Sequence, residues 1–387
     1  MSKRIMLVAG EASGDALGGP LMTALKEQSP DPLEFVGVGG QAMIAQGLNS
    51  LFPLSDLSVM GIAEILPRLR LILRRLNQTE QLAREAQPDI LVSIDSPGFN
   101  FRLGRRLKGA GIPLVHYVAP TVWAWKPGRA KKIAEFLDHL LVLLPFEPPW
   151  FEAEGLACSF VGHSAVSHAK GDAKAFRERH GFKKDDLILG LLPGSRQGEV
   201  SRLLPVFIET AQALNQETDN LKIVVPAVDH VADNIRKAIA DAELEAVVVG
   251  SEEKADALAS LNGALAASGT ITLELTLAGV PTVAAYRMNP VTMMIVKRMT
   301  RVNSVSLTNL ILEKQIIPEY LQADCTAANL VPAVRRILTD PAERQVQFDA
   351  TEQVAQALGA GGKPPAHRAA EAILRVMHEN IGSDSKA

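Results

Sequence analysis

Four short stretches bring reactive side chains to the ends of apolar runs. ILVSID (90–95) ends in Asp95 and continues as SPGFN, placing a carboxylate where a parallel strand would hand it to a ligand as a base. LILGLLPGSR (187–196) empties into Gly194, Ser195 and Arg196, a turn at a helix start with a guanidinium suited to a phosphate. GALAASGTITLE (263–274) offers Ser268, Gly269 and Thr270 at another helix start, with Glu274 suited to accept from a ribose diol. IMLVAGEASGD (5–15) repeats the order of strand, turn and helix, but its turn carries Glu11, Ser13 and Asp15. One half therefore reads as a phosphate-binding wall and the other as an acid/base wall.

Each stretch also has a plainer reading. Asp95, Ser268, Ser13 and Asp15 are all residue types that cap helices. Pro97 and Gly98 shape an irregular loop in which Asp95 need not be consumed as a cap. PGSR and SGTITLE within one half supply both the cation cradle and the hydroxyl acceptor that a nucleoside diphosphate needs. GEASGD is neither a dinucleotide fingerprint nor a Walker sequence. No Asp-x-Asp, HExxH or Cys/His cluster occurs, so neither a metal nor a cofactor is expected, and Arg196 with the helix N-termini would neutralise a leaving phosphate.

Short apolar runs must position these residues. Strands are predicted at 5–9, 35–37, 90–94, 114–118 and 140–144, with helical segments such as 20–28 and 102–109 between them. The alternation restarts at 187–192 and continues through 223–225, 246–249, 263–267 and 282–284, which predicts parallel α/β sheets. An N-terminal domain over 1–170 and a C-terminal domain over 185–340 follow, with the polar stretch 171–184 between them. Residues 341–380 read as helices interrupted by GAGGKPP.

With 387 residues, 47% hydrophobic, the chain can bury two cores. Forty Lys and Arg against 43 Asp and Glu leave a net charge of −3, so no nucleic-acid partner is expected. Residues 102–132 nevertheless hold eight basic side chains and no acidic one, read either as solvated helix faces or as a binding patch. Cys158 and Cys325 are far apart and outside any CxxC, which suits a reducing cytoplasm. The N-terminus reads as a first strand rather than a signal peptide. No apolar stretch approaches the ~18 residues of a transmembrane helix, so membrane contact would be peripheral.

One segment suits such contact. In IAEILPRLRLILRRL, Ile62, Ile65, Leu66, Leu69, Ile72, Leu73 and Leu76 recur at helical spacing, with Arg68, Arg70, Arg74 and Arg75 between them. This is either an amphipathic membrane patch or a crossover helix with its stripe on the sheet. Trp123 and Trp125 likewise read as an interfacial anchor or a packed loop.

Taken in order, GEASGD, VMGIAEIL, IDSPGFN, HYVAPTVWAW, LPGSR and SVSLTNLI, spread over 10–311, closely resemble the lipid-A-disaccharide synthases. The resemblance implies the GT-B fold of a bacterial glycosyltransferase: two Rossmann-like domains with parallel sheets facing across a cleft, plus C-terminal helices. It further implies inverting transfer of 2,3-diacylglucosamine from UDP-2,3-diacylglucosamine to 2,3-diacylglucosamine 1-phosphate, giving the β-1,6-linked disaccharide 1-phosphate and UDP. Asp95 matches the family's base, and Arg196 and Asn309 match residues associated with donor binding. Thr308 stands where proline is common and Ala12 where threonine is frequent. The resemblance also suggests a peripheral position on the cytoplasmic inner-membrane surface and a homodimer, with the last helices packing back on the N-terminal domain or exchanged between subunits. Two other classes remain open: a UDP-sugar 2-epimerase on the same scaffold, and a non-enzymatic nucleotide-sugar sensor at the membrane.

Overall fold

The computed structural model describes residues 2–57, 62–123, 128–167, 171–288 and 304–384, without the side chains of 62–67 and 380–384. The chain forms two compact units, one running through Ser164 and resuming at Leu358, the other spanning Ala165–Ala357.

The first unit alternates β1 (Lys3–Ala9), α1 (Ala12–Gln28), β2 (Leu33–Val38), α2 (Gln41–Ala45), β3 (Asn49–Ser50), α3 (Ile62–Ala86), β4 (Ile90–Ile94), α4 (Pro97–Leu107), β5 (Leu114–Tyr117), α5 (Arg129–Ala134), β6 (His139–Val142), α6 (Pro148–Glu152) and β7 (Ala157–Phe160). The second contains α7 (Ala173–Arg179), β8 (Leu187–Leu192), α8 (Gln197–Asn215), β9 (Leu221–Pro226), α9 (Asp229–Asp241), β10 (Ala246–Val249), α10 (Lys254–Ser260), β11 (Gly263–Ala267), α11 (Thr270–Leu277), β12 (Thr282–Tyr286), α12 (Leu307–Leu312), β13 (Glu319–Leu321), α13 (Ala327–Thr339) and α14 (Pro341–Ala357). The last helix, α15 (Pro365–Asp384), returns to the first unit and packs on α1.

Every strand pair is parallel, as near-continuous Val, Ile, Leu and Ala runs demand when both faces are covered by helices. In the first sheet the order is β3-β2-β1-β4-β5-β6-β7, and in the second β10-β9-β8-β11-β12-β13. These are two Rossmann-like sheets. In each, the strand order reverses once, between β1 and β4 and between β8 and β11, and such a switch point opens a crevice at the carboxyl ends of the strands.

Helix α1 begins eight residues before the segment first read as helical, at Ala12 rather than 20, and carries Pro20 inside it. Gly18 and Gly19 face α2: a Cβ on Gly18 would meet the Met43 sulfur at 2.5 Å, and their missing side chains let α2 approach. Helix α4 starts at Pro97, whose fixed φ and missing N–H suit a first turn. The edge strands β3, β7 and β13 are short and half-exposed, so they carry little of the apolar signal that marks β4 or β11.

Candidate active site

At the first switch point, β1 leads into Gly10 and Glu11, and β4 leads into Asp95. The two turns touch: Ser13 Oγ donates to Asp95 Oδ2 at 2.6 Å, while Asp95 Oδ1 accepts from Ser96 N at 2.7 Å. A half-exposed carboxylate is thus held at the C-terminal edge of the sheet by one hydroxyl and one amide. Glu11 is exposed at the N-cap of α1.

Asp15 is placed differently from its companions. Its carboxylate accepts from the backbone N–H groups of Gly40 (2.8 Å), Ala42 (3.0 Å) and Met43 (3.0 Å), so it caps α2 from across the fold and is buried. A carboxylate with three such donors is committed to structure, which removes it from the ligand-facing set expected of GEASGD.

The second switch point holds a cavity of about 340 Å³ lined by Gly194, Ser195, Arg196, Ser268, Gly269, Thr270 and Glu274, together with the unforeseen Glu199, Ser251 and Lys254. Gly194 has a φ of 110°, and a Cβ there would lie 2.6 Å from Glu199 Oε2, so the turn requires glycine on both grounds. Glu199 reaches back to the start of α8, accepting from Arg196 N at 3.4 Å and from Arg196 Nη1 at 3.0 Å, and the Arg196 side chain is 78% exposed. That surface pair is weak, and a diphosphate entering the cavity can recruit the guanidinium. The starts of α8 and α11 add N–H groups and positive dipole ends. On the opposite side Lys254 Nζ donates to Glu274 Oε2 at 2.6 Å. His230 Nε2 lies 2.7 Å from Ser195 O and braces the turn from α9. Neither Lys254 nor His230 belongs to a motif: Lys254 reaches the cavity from α10, and His230 braces its turn from α9.

A sequence profile described as "Lipid-A-disaccharide synthetase" matches residues 5–373. The chain belongs to the lipid-A-disaccharide synthase family. Among relatives, the lipid-A-disaccharide synthase of Rhodospirillum centenum is 51% identical over 385 residues, covering 98% of this chain and 96% of that one. The corresponding protein of Paramagnetospirillum magneticum is 47% identical, covering 97% and 98%. Among solved structures, a UDP-GlcNAc 2-epimerase from Neisseria meningitidis bound to UDP-GlcNAc superposes with a TM-score of 0.64 at 10% identity, covering 97% of this chain and all (100%) of that one. The glycotransferase of kitacinnamycin gives 0.62 at 16% identity, covering 96% and 98%. At such identities these neighbours establish the GT-B-like fold, which transferases and epimerases share.

Several expected roles for this synthase-family chain meet a different geometry. Asn309 does not line the cavity. It is 2% exposed, its Nδ2 donates to Ile317 O and Glu319 Oε1, and its Oδ1 accepts from Ile316 N and Ile317 N. With its amide consumed, it braces the 313–319 turn. Ser268 Oγ likewise donates to Val305 O.

On α3, Leu76 is buried at 1% exposure, and Ile72 is half-buried against the same core. Only Leu69 (37%) and Leu73 (40%) of the described patch residues face solvent, beside exposed Arg68, Arg70 and Arg74. Arg75 instead pairs with Asp56 at 2.6 Å and stacks on Phe52. The side chains of Ile62, Ile65 and Leu66 lie outside the described residues. Trp123 is a packed residue, not an anchor: it is 7% exposed, donates to Glu147 and meets Phe146 edge-to-face. Trp125 lies outside the described residues. Among the described residues, no helix is long and apolar enough to cross a membrane.

Proposed function

We propose that this chain transfers 2,3-diacylglucosamine from UDP-2,3-diacylglucosamine to the 6-hydroxyl of 2,3-diacylglucosamine 1-phosphate. The observation that carries this reading is that each sheet's switch point holds one half of the required chemistry, an oriented carboxylate at Asp95 and an arginine-headed anion cavity at Arg196. Family membership supplies the substrates.

In this mechanism Asp95 takes the proton of the acceptor 6-hydroxyl as its oxygen attacks the anomeric carbon of the donor. The bond from that carbon to the β-phosphate oxygen breaks, UDP leaves, and the configuration inverts in one displacement. The Ser13 hydroxyl marks the place on Asp95 Oδ2 where an acceptor hydroxyl would donate. Charge growing on the departing diphosphate is met by Arg196 and the α8 N-terminus, where a single such donor is worth on the order of 10² to 10³ in rate. Glu274, held by Lys254, accepts from the ribose diol.

The family's lipid substrates give Leu69, Leu73 and their neighbouring arginines a use, as a shallow contact with the anionic inner-membrane surface from the cytoplasmic side. A homodimer is part of the same proposal. The test against an epimerase is incubation with UDP-N-acetylglucosamine alone. No C2 epimer should form, and its formation without a lipid acceptor would reject the transferase reading.

A further inference from the structure

Asp95 and Ser96 both have left-handed backbone, with φ of 54° and 44°. Each such residue with a Cβ costs roughly 1 to 2 kcal/mol, so two in succession persist only where the surroundings over-determine them. The surrounding bonds can be traced. Asp95 N donates to Tyr117 O at 2.9 Å. From below, the Asn100 amide nitrogen lies 2.7 Å from Asp95 O, 3.2 Å from Ile94 O and 3.3 Å from Val8 O. Only a donor fits among three carbonyl oxygens, so the amide orientation is fixed by its neighbours.

Those carbonyls belong to the ends of β1 and β4, the two strands of the switch point, and to the turn itself. Asn100 is 2% exposed, and its Oδ1 is buried without a partner among the described residues. An orphaned buried acceptor costs about 1 to 3 kcal/mol, a penalty that an apolar side chain in α4 would avoid. The donation is therefore what the position retains. On the other side of the turn, Gly10 leaves room for Ser96: a Cβ there would sit 2.3 Å from the Ser96 Cβ.

We infer that Asn100 is a positioning residue for Asp95: its buried amide holds the left-handed Asp95–Ser96 turn and thereby aims the carboxylate at the edge of the sheet. This rests on Asp95 being the base, so the D95N variant is measured first and separately. A D95N enzyme of normal activity removes the base itself. With D95N inactive, the readouts below address Asn100 alone.

N100L keeps about the side chain's size but has no donor, and N100A removes both. Displacement of a reacting group by about 1 Å costs on the order of a hundredfold in rate, so kcat should fall by about ten- to a hundredfold in both variants. Donor KM and the Kd for UDP, which depend on the other unit, should stay within about twofold. Glycine adopts the left-handed region without penalty, so N100A/S96G should recover part of the lost kcat. G10A should lower kcat by pushing on Ser96 Cβ, and G10A/S96G should reverse that loss. Wild-type kcat in N100A or N100L overturns the inference. So does a joint loss of kcat, UDP affinity and thermal midpoint, or failure of both variants to fold, because Asn100 would then serve stability alone. Absence of any recovery in either double variant overturns it as well.

Discussion

Glu147 should make the first unit less stable as pH rises from the acid range to neutrality. It is 3% exposed, with Oε2 accepting from Leu143 N (3.1 Å) and Leu144 N (2.9 Å) and Oε1 from Trp123 Nε1 (3.3 Å). Burial pushes its carboxyl up from 4.5 to about 7, and the three hydrogen bonds only partly offset this. The sign follows from proton counts. Between pH 4.5 and about 7 the folded state holds a proton that the unfolded state has lost, so the free energy of unfolding falls as pH rises and levels off above 7. A shift of this size corresponds to about 3 kcal/mol. The side-chain amide introduced by E147Q does not titrate. Its oxygen can face the Leu143 and Leu144 amides, which turns its NH₂ toward the Trp123 N–H and adds a pH-independent cost of about 1 to 3 kcal/mol. The assay is urea unfolding of wild type and E147Q at pH 5, 6, 7 and 8, followed by tryptophan fluorescence. All three tryptophans lie in the first unit, so the signal reports on it. The stability of wild type relative to E147Q should drop by about 2.5 kcal/mol from pH 5 to pH 8, the rest of the shift lying below pH 5. A difference that stays level across that range, or rises, refutes the reasoning.

Arg196→Ala should weaken UDP binding by about ten- to a hundredfold while leaving lipid-acceptor affinity within about twofold, read by calorimetry; the reverse pattern rejects the phosphate cradle. Lys254→Met should raise donor KM and reduce discrimination against the 2′-deoxyribose donor, with little change in thermal midpoint, because the pair it breaks is partly exposed. On α3 the exposure pattern separates two outcomes. L69S/L73S should weaken sedimentation with anionic vesicles at unchanged stability, whereas Leu76→Ala should cost about 2 to 5 kcal/mol of stability and leave vesicle binding unaltered in the folded fraction.

Strands buried on both faces were legible in the sequence because nothing but apolar side chains is tolerated there: 187–192 and 263–267 coincide with β8 and β11. Residues at the strand ends were legible too, since Asp95, Gly194, Arg196 and Gly269 occupy the turns that a parallel sheet opens to ligands. What sequence spacing could not resolve was how a polar group spends its hydrogen bonds. Asp15 and Asn309 sit in motifs that resemble ligand contacts, yet the donors and acceptors that consume them come from residues 40–43 and 316–319. Leu76 fits the same helical stripe as Leu69 and Leu73, but α3 turns it into the core. Periodicity identifies a face without saying what covers it. Asn100 and Lys254 were illegible because their partners are main-chain carbonyls or a carboxylate on another helix.

The most direct test supplies radiolabelled 2,3-diacylglucosamine 1-phosphate and UDP-2,3-diacylglucosamine to the wild type and to D95N, and follows the label. The wild type should convert it to a tetra-acylated β-1,6-linked disaccharide 1-phosphate with one UDP released per product. D95N should do so slower by a factor on the order of 10² to 10⁴, the usual contribution of a positioned base. Equal rates in the two proteins, or UDP released by the wild type without any labelled disaccharide, would contradict the account.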